Sequence, residues 1–134
     1  MRPGTASVRV DPLASCTEHW IEQTTDHFNF APPYLKQYTF QQRYYACDEY
    51  YKPSKDGKQP PIFFYAGNEG PVENYVRHTG LMWENAERWG ALLIFAEHRY
   101  YGQSLPYGNS SFVMPYIQYL SHEQAMADYV VSRP

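Results

Sequence analysis

Two short runs of continuous apolar residues mark the middle of the chain, one at residues 61–66 and the other at residues 91–96. Their length and their aromatic and aliphatic content are typical of strands covered on both faces, as in a parallel sheet. Between them, residues 79–89 carry apolar side chains at helical spacing, and Gly90 fits the C-terminal cap of that helix. The apolar face of the helix is formed by Met82, Ala86 and Trp89.

The N-terminal part of the chain shows weaker patterns. Residues 1–17 lack periodicity and predict a flexible lead-in, which leaves residues 18–134 for a single domain. A first strand-like segment follows at residues 20–23, and the two prolines at residues 32–33 break the chain. Polar and aromatic positions alternate over residues 38–47, which predicts a partly exposed strand.

A second helix is predicted towards the end of the sequence. Ser121 and Gln124 have the spacing of a capping box. The helix that they open is expected to pack through Ala125, Met126, Tyr129 and Val130. The order strand, helix, strand, helix indicates a βαβ unit and an α/β fold. A further strand is expected after this helix, but the sequence ends at Pro134, which predicts a chain truncated in mid-fold.

Composition and charge exclude several classes of function. The net charge of −3 and the scattered basic residues predict no nucleic-acid partner. No apolar stretch is long enough to span a bilayer, and no signal peptide is visible at the start of the chain. Cys16 and Cys47 lack metal-binding spacing, so no metal site is expected, and either a disulfide or two free thiols would fit. Asn109 begins an N-glycosylation sequon and is a glycosylation candidate.

Chemistry in open α/β sheets is found in the loops that leave the carboxyl ends of strands. The first such loop consists of Gly67, Asn68, Glu69 and Gly70, directly after an apolar run. Its glycines let the backbone approach a ligand, and successive N–H groups can point into one cavity. The alternative is a glycine-rich turn that serves only to reverse the chain.

The second loop begins with Glu97, His98, Arg99 and Tyr100. Such side chains could act as acid–base groups at the mouth of a strand, but an ion-paired scaffold that holds the loop is the favoured interpretation. Ser104 follows within G-Q-S-L-P, which departs from the G-x-S-x-G nucleophile elbow because proline replaces the last glycine and no helix follows at once. Ser104 is therefore not expected to be a nucleophile.

Longer strings of residues point to a family. Residues 64–70 (F-Y-A-G-N-E-G) and 95–108 (F-A-E-H-R-Y-Y-G-Q-S-L-P-Y-G) closely resemble the serine peptidase family of lysosomal Pro-X carboxypeptidase and dipeptidyl peptidase II. Residues 123–128 (E-Q-A-M-A-D) are similar to the E-Q-A-L-A-D segment of that family. Residues 26–28 and 42–44 resemble its D-H-F and Q-R-Y motifs.

The resemblance implies an α/β-hydrolase fold with a mixed, mainly parallel sheet, and a Ser-Asp-His triad that works without a cofactor. In the family, the serine follows the E-Q-A-L-A-D helix, so no member of the triad is expected within this chain, which alone is expected to be inactive. Residues 67–70 occupy the loop that supplies one N–H of the oxyanion hole in α/β-hydrolases, and Gly67 and Asn68 are the preferred donors. Glu69 is expected either to orient this loop or to meet a substrate amine.

The resemblance also implies partners and location. The expected substrates are peptides with proline near the cleaved bond, the expected location is the lysosome or the outside of the cell, and the full-length enzyme is expected to form a homodimer. The alternative is a non-catalytic, truncated relative that acts as a binding module; an unrelated esterase is disfavoured by the E-H-R-Y-Y-G string. The family's strand order places residues 62–65 between two other strands, one of them absent here, so this chain alone is expected to expose an apolar edge and to be poorly soluble or molten.

Overall fold

The computed structural model describes residues 10–29 and 39–131, which form four strands and three α-helices. The strands are β1 (Cys16–Thr24), β2 (Thr39–Cys47), β3 (Ile62–Ala66) and β4 (Leu92–Ala96). The helices are α1 (Val72–His78), α2 (Gly80–Trp89) and α3 (His122–Val131), and short 3-10 helices lie at Pro12–Ser15, Gly108–Ser110 and Tyr116–Tyr119. This order confirms the α/β class. None of the described helices is both long and apolar enough to cross a membrane.

The four strands form one sheet in the order β1-β2-β4-β3. β3 and β4 run parallel and pair from Ile62–Leu92 to Ala66–Ala96, whereas β2 runs antiparallel to both β1 and β4. The sheet is therefore mixed, as predicted. Within its described part, however, two of the three pairings are antiparallel, because β2 is inserted between the N-terminal strand and the parallel pair.

Helices cover the sheet on both faces. α1 and α2 pack on the face that carries Leu93 and Phe95 of β4, through the buried residues Val72, Val76 and Ala86. α3 lies on the opposite face, where the ring of Tyr129 meets that of Phe64 edge-on at a centroid distance of 6.0 Å. The apolar core sits between the sheet and the first two helices, while the contacts of α3 are largely polar, as described below.

The burial of individual strands departs from the sequence-based expectations. β4 is buried on both faces as predicted, with Leu93 to Ala96 all buried. β3 is not: Ile62 is 49% exposed and Phe64 39%, because β3 lies at the edge of the described sheet and has β4 as its one neighbour there. β2, in contrast, is more buried than predicted. The sequence pattern indicates a partly exposed strand, but β2 is largely buried because it lies between β1 and β4.

The helix predicted over residues 79–89 is confirmed as α2. Gly90 ends it with φ +61°, and its N–H is bonded to the carbonyl oxygens of Ala86 and Glu87, as expected of a C-terminal cap. The prediction omitted α1, a short helix that begins after Pro71 and buries Val72 and Val76 completely. Two apolar residues at a spacing of four are too few to make a helix recognisable from its pattern.

α3 begins where the capping box predicted, and the Ser121 hydroxyl accepts a hydrogen bond from the Gln124 N–H at 3.3 Å. The predicted buried face is right for Ala125, which is buried, and for Tyr129, whose ring packs on Phe64, but it is wrong for Met126 and Val130. Met126 is 65% exposed and Val130 63%, whereas Gln124, Ala125 and Asp128 are buried. The helix is rotated so that a polar edge faces the sheet, because its partners there are the polar side chains described below.

The N-terminal region is more regular than predicted. β1 begins at Cys16, ahead of the expected start at Trp20, and the 3-10 helix at Pro12–Ser15 precedes it within the predicted lead-in. Cys16 and Cys47 face each other across β1 and β2 and form a disulfide, which decides between the two alternatives left open. The remaining expectations for residues 1–9, 30–38 and 132–134 lie outside the described residues.

Candidate functional site

Two loops leave the sheet side by side, because the parallel strands β3 and β4 end at the same edge. The loop of residues 67–70 follows β3, and the loop that begins at Glu97 follows β4. A Cβ atom added at Gly67 would lie against the carbonyl oxygen of Ala96 and 2.7 Å from the amide nitrogen of His98. Only glycine allows the two backbones to approach this closely.

Hydrogen bonds within the first loop occupy part of its backbone. The N–H of Glu69 donates to Oδ1 of Asn68 at 2.8 Å, and the N–H of Gly70 donates to the Asn68 carbonyl oxygen, also at 2.8 Å. The Tyr129 hydroxyl of α3 donates to the Gly67 carbonyl oxygen at 2.8 Å, which ties the loop to the helix. The amides of Gly67 and Asn68 are therefore the two that these turn bonds do not use.

The residues of the first loop differ in their exposure to solvent. Gly67 is buried, whereas Asn68 and Glu69 are exposed. Burial raises the pKa of the Tyr101 phenol in the second loop, and the negative charge of Glu69 raises it further.

Glu97, at the end of β4, is completely buried and ion-paired with Arg43 of β2. The Arg43 guanidinium donates to both carboxylate oxygens of Glu97, at 2.6 and 3.3 Å. It also donates to Oε2 of Glu73 on α1 at 2.9 Å, and the other Glu73 oxygen lies 2.8 Å from Nη1 in an ion pair. Burial opposes the charge of Arg43, but the hydrogen bonds and charge of Glu97 outweigh it, so the pKa of Arg43 is raised. Arg43 therefore clamps β2, β4 and α1 together.

Arg99 and Asp128 form a second buried ion pair on the other face of the sheet, and neither is exposed to solvent. Nε and Nη2 of Arg99 reach the two carboxylate oxygens of Asp128 at 2.7 and 2.5 Å. The remaining donors of Arg99 bind the carbonyl oxygens of Thr24, Thr25 and Tyr119. This pair fixes the loop after β4 to α3 and to the end of β1, with every polar hydrogen of the guanidinium used.

Glutamine side chains and one histidine connect the pairs. The Gln42 amide donates to the Glu97 carbonyl oxygen at 2.8 Å and accepts a hydrogen bond from Gln23 at 3.0 Å. His27 lies 2.7 Å from Asp128, measured from Nε2 to Oδ1, and its backbone N–H donates to the Gln124 side chain. Segments far apart in the sequence thereby meet in one polar network beneath the two loops.

The network accounts for the positions of the motifs found in the sequence. The strings D-H-F, Q-R-Y, E-H-R-Y-Y-G and E-Q-A-M-A-D each contribute at least one side chain to it. The sequence alone gives no role to Arg43 or Asp128, and it does not reveal Glu73 because the short helix that carries this residue has no recognisable pattern. A charged residue inside an otherwise strand-like pattern, such as Arg43, was the available signal for a buried partner.

The other candidate residues of the second loop have defined positions. The ring of His98 is half-buried; its Nδ1 lies 2.6 Å from the Arg99 carbonyl oxygen, and the ring meets Tyr101 edge-on. Tyr100 is buried with a positive φ of 68°, and its hydroxyl donates to the Tyr116 carbonyl oxygen. Ser104 is fully buried and donates to Glu97 at 2.7 Å, so its hydroxyl is not available to a substrate. Asn109 is exposed in the 3-10 helix at Gly108–Ser110.

The arrangement supplies backbone donors and a rigid support rather than a complete set of reacting groups. The exposed residues Asn68 and Glu69 lie at the edge of the sheet, above the network that contains the two buried ion pairs. Among the described residues, no group of three or more His, Cys, Asp or Glu side chains is placed to hold a metal ion.

Comparison with known proteins identifies the family. The family model for serine carboxypeptidase S28 matches residues 23–133. Human lysosomal Pro-X carboxypeptidase is 46% identical over 111 residues, which are 82% of this chain and 21% of that protein. Prolyl carboxy peptidase like protein 5 of Caenorhabditis elegans is 32% identical over 133 residues, covering 91% of this chain and 25% of that protein.

A third relative, the thymus-specific serine protease of Mus musculus, is 34% identical over 122 residues, which cover 91% of this chain and 22% of that protein. The chain therefore spans between a fifth and a quarter of the length of these relatives. The family match covers most of the chain and includes both loops and the polar network beneath them. The chain belongs to the serine carboxypeptidase S28 family of serine peptidases.

Proposed function

We propose that this chain provides the N-terminal part of an α/β-hydrolase-type domain in a serine exopeptidase that cleaves peptides next to proline. The observation that carries the proposal is the loop pair at the carboxyl ends of β3 and β4, in a chain that belongs to a serine peptidase family. Within that domain, residues 67–70 line the oxyanion hole, and the buried ion pairs below them hold the loop in place.

The handedness of the connections supports this fold. The connection from β3 to β4 passes over the face covered by α1 and α2, whereas α3 follows β4 on the opposite face. Crossover connections between parallel strands are right-handed, so a crossover on the opposite face runs in the opposite direction across the sheet. A parallel strand after α3 would therefore return past β3 and pair with its open side. In α/β-hydrolases the nucleophilic serine stands at the top of the sheet near the loop after the third strand, which corresponds to residues 67–70.

The Asn68 N–H is the donor that we assign to the oxyanion hole. A donor must be accessible to the substrate, and Asn68 is exposed whereas Gly67 is buried against β4. The N–H groups of Glu69 and Gly70 are already bonded within the turn. A preorganised N–H at this position stabilises the negative charge that develops on the carbonyl oxygen in the transition state.

The matched variants Asn68→Pro and Asn68→Ala test this assignment in the full-length product of the gene. Proline removes the N–H, whereas alanine keeps it and loses only the side-chain bond to Glu69. The expected result is a fall in kcat of about 100- to 1000-fold for Asn68→Pro relative to Asn68→Ala, with little change in KM. Equal kcat values for the two variants would contradict the role of Asn68.

The substrate preference is tested with two series of peptides. One series carries proline as the penultimate residue at the C-terminus and reports the release of the last residue. The other carries proline in second position and reports the release of an N-terminal dipeptide. Cleavage in either series, lost when proline is replaced by alanine, is the expected result. Binding of the peptides without cleavage in either series would favour the non-catalytic binding module instead.

The proposed location is the lysosome or the extracellular space. Two observations support it: the relatives include lysosomal Pro-X carboxypeptidases, and the chain contains a disulfide between Cys16 and Cys47. Disulfides persist in oxidising compartments and are rare in the cytosol. Co-localisation of the tagged full-length product with a lysosomal marker, or its recovery from the culture medium, is the corresponding measurement.

A further inference from the structure

We propose that Asn109 carries an N-linked glycan and that the glycan is attached before the surrounding turn folds. Asn109, Ser110 and Ser111 form a sequon, and no other asparagine in the sequence is followed two residues later by serine or threonine. Asn109 is exposed in the 3-10 helix at Gly108–Ser110, and its side chain makes no hydrogen bond with the described residues. A Cβ atom added at the neighbouring Gly108 would meet no atom within 4 Å, so there is open space around this turn.

The third residue of the sequon sets the order of events. Ser111 is completely buried, and its hydroxyl donates to the Gly108 carbonyl oxygen at 2.8 Å and accepts a hydrogen bond from the Tyr107 N–H at 3.0 Å. The sequon requires a hydroxyl at this position, which the transferase must reach. In the folded turn that hydroxyl is enclosed and bonded on both sides, so the acceptor can be recognised only while residues 107–111 are unfolded.

The disulfide supplies an independent reason to place the chain where glycans are added. Cys16 and Cys47 are joined, and the described chain contains no free cysteine. A disulfide of this kind indicates a chain that folds in an oxidising compartment, and the lumen of the endoplasmic reticulum provides both that environment and the N-glycosylation machinery.

Two measurements on the full-length product of the gene test the proposal. In the first, the protein is expressed in cultured animal cells behind a heterologous signal sequence, and the tryptic peptide that begins at Tyr100 is analysed by mass spectrometry before and after glycosidase treatment. The expected result is a glycan mass on this peptide that is lost in Asn109→Gln. The matched control Ser110→Ala changes the exposed middle residue of the sequon and should keep the glycan.

The second measurement tests the order of events. Unglycosylated protein from bacteria is offered to solubilised oligosaccharyltransferase and its lipid-linked donor, once in the native state and once after reduction and unfolding. We expect Asn109 to be modified in the unfolded protein and to remain unmodified in the native protein. An unmodified Asn109 peptide from the cells would overturn the proposed site, and equal modification of native and unfolded protein would overturn the proposed order.

Discussion

At the residue scale, the most constrained position is Glu97. Its carboxylate accepts hydrogen bonds from Arg43, from the Ser104 hydroxyl, and from the backbone N–H groups of Val72 and Gln103. A buried carboxylate is tolerated only when it is paired and its oxygens are bonded, and Glu97 meets both conditions. The side chain fills the space against Gly102, so this contact and the positive φ of +56° both favour glycine at residue 102.

A comparison of two glycines tests this close approach. Gly102 and Gly108 have nearly the same positive φ, +56° and +53°, but a Cβ atom at Gly102 would collide with the Glu97 carboxylate, whereas one at Gly108 would meet nothing within 4 Å. Gly108→Ala should cost about 1–2 kcal/mol for the left-handed conformation alone. Gly102→Ala should cost clearly more, about 3–5 kcal/mol in total if it displaces Glu97 from Arg43.

The free energy of unfolding of both variants, measured by urea titration of the full-length product of the gene, checks this prediction. Because the backbone strain is matched, the difference between the two variants isolates the contact with Glu97. Equal destabilisation of the two variants would mean that the carboxylate can move aside without loss of its ion pair.

At the element scale, local patterns predicted β4 and α2 but not the orientation of α3. A run of apolar residues identifies a buried strand, and a 3.6-residue period identifies a helix, because both signals are contained in the element itself. The buried face of α3 depends instead on Gln124 and Asp128, whose partners lie in β2, in the segment after β1 and in the loop after β4. Contacts of this kind leave no periodic signal in the helix, so the apolar residues Met126 and Val130 were placed on the wrong side.

The same reason limited the prediction of the site. The two loops were recognised because each follows an apolar run, and their glycines were visible in the sequence. The residues of the polar network beneath the loops were visible only as parts of the family motifs. Their pairing, Arg43 with Glu97 and Arg99 with Asp128, could not be predicted because it joins residues that are far apart in the sequence. The edge position of β3 was implied by the family's strand order, whereas the pattern of the strand alone predicted burial on both faces.

The polar attachment of α3 gives the second prediction. Asp128→Asn removes the negative charge that faces the buried guanidinium of Arg99, and the loss of one partner of a buried pair should destabilise the protein by about 3–5 kcal/mol. Met126→Ser removes an apolar side chain from the exposed side of the same helix and should change stability by no more than about 0.5 kcal/mol.

Hydrogen exchange of the α3 amides distinguishes a local from a global effect. Faster exchange throughout His122–Val131 in Asp128→Asn, with Met126→Ser unchanged, is the expected pattern. If Met126→Ser loosened the helix as much as Asp128→Asn does, apolar packing rather than the ion pair would hold α3 to the sheet.

At the scale of the whole molecule, the many tyrosines make stability sensitive to alkaline pH. Burial raises the pKa values of the phenols of Tyr45, Tyr65, Tyr100, Tyr101, Tyr107 and Tyr129. For Tyr129 the nearby charge of Asp128 adds to the effect of burial. In the unfolded chain these phenols lose their protons near pH 10. Above that pH the folded state holds more protons than the unfolded state, so the free energy of unfolding falls as the pH rises.

This third prediction is checked by measuring the free energy of unfolding of the full-length product at a series of alkaline pH values. The contribution of these phenols to the free energy of unfolding should be constant below about pH 10 and should decline above it. Tyr129→Phe removes one contributor and should make the decline shallower, whereas Tyr51→Phe, at an exposed position, should leave it unchanged. A decline that is identical in all three proteins would show that Tyr129 does not contribute.

The open side of β3 gives the last prediction, which concerns the 134-residue polypeptide by itself. Its backbone groups on that side have no strand to pair with among the described residues, and Ile62 and Phe64 are exposed. Beside them lies a groove of about 550 Å³ that is also lined by Leu81, Met82 and Trp89 of α2. An apolar edge of this kind recruits strands of other molecules. We therefore expect the isolated polypeptide to self-associate, and Ile62→Lys to shift it towards the monomer, since a charge on an edge strand opposes pairing.

Val10→Lys is the control, because Val10 is 76% exposed but does not belong to a strand. Sedimentation velocity of the three polypeptides measures the monomer fraction, and a sharp, cooperative melt of a wild-type monomer would contradict the prediction.

In the full-length product the same two substitutions test whether another strand covers β3. If a following strand covers β3 there, as we propose, Ile62→Lys places an ammonium group beside that strand and should lower the melting temperature, whereas Val10→Lys should not. If β3 were a solvent-exposed edge in both proteins, Ile62→Lys would not destabilise the full-length product. A lysine that favours the monomer of the isolated polypeptide and also destabilises the full-length product would therefore support a covering strand.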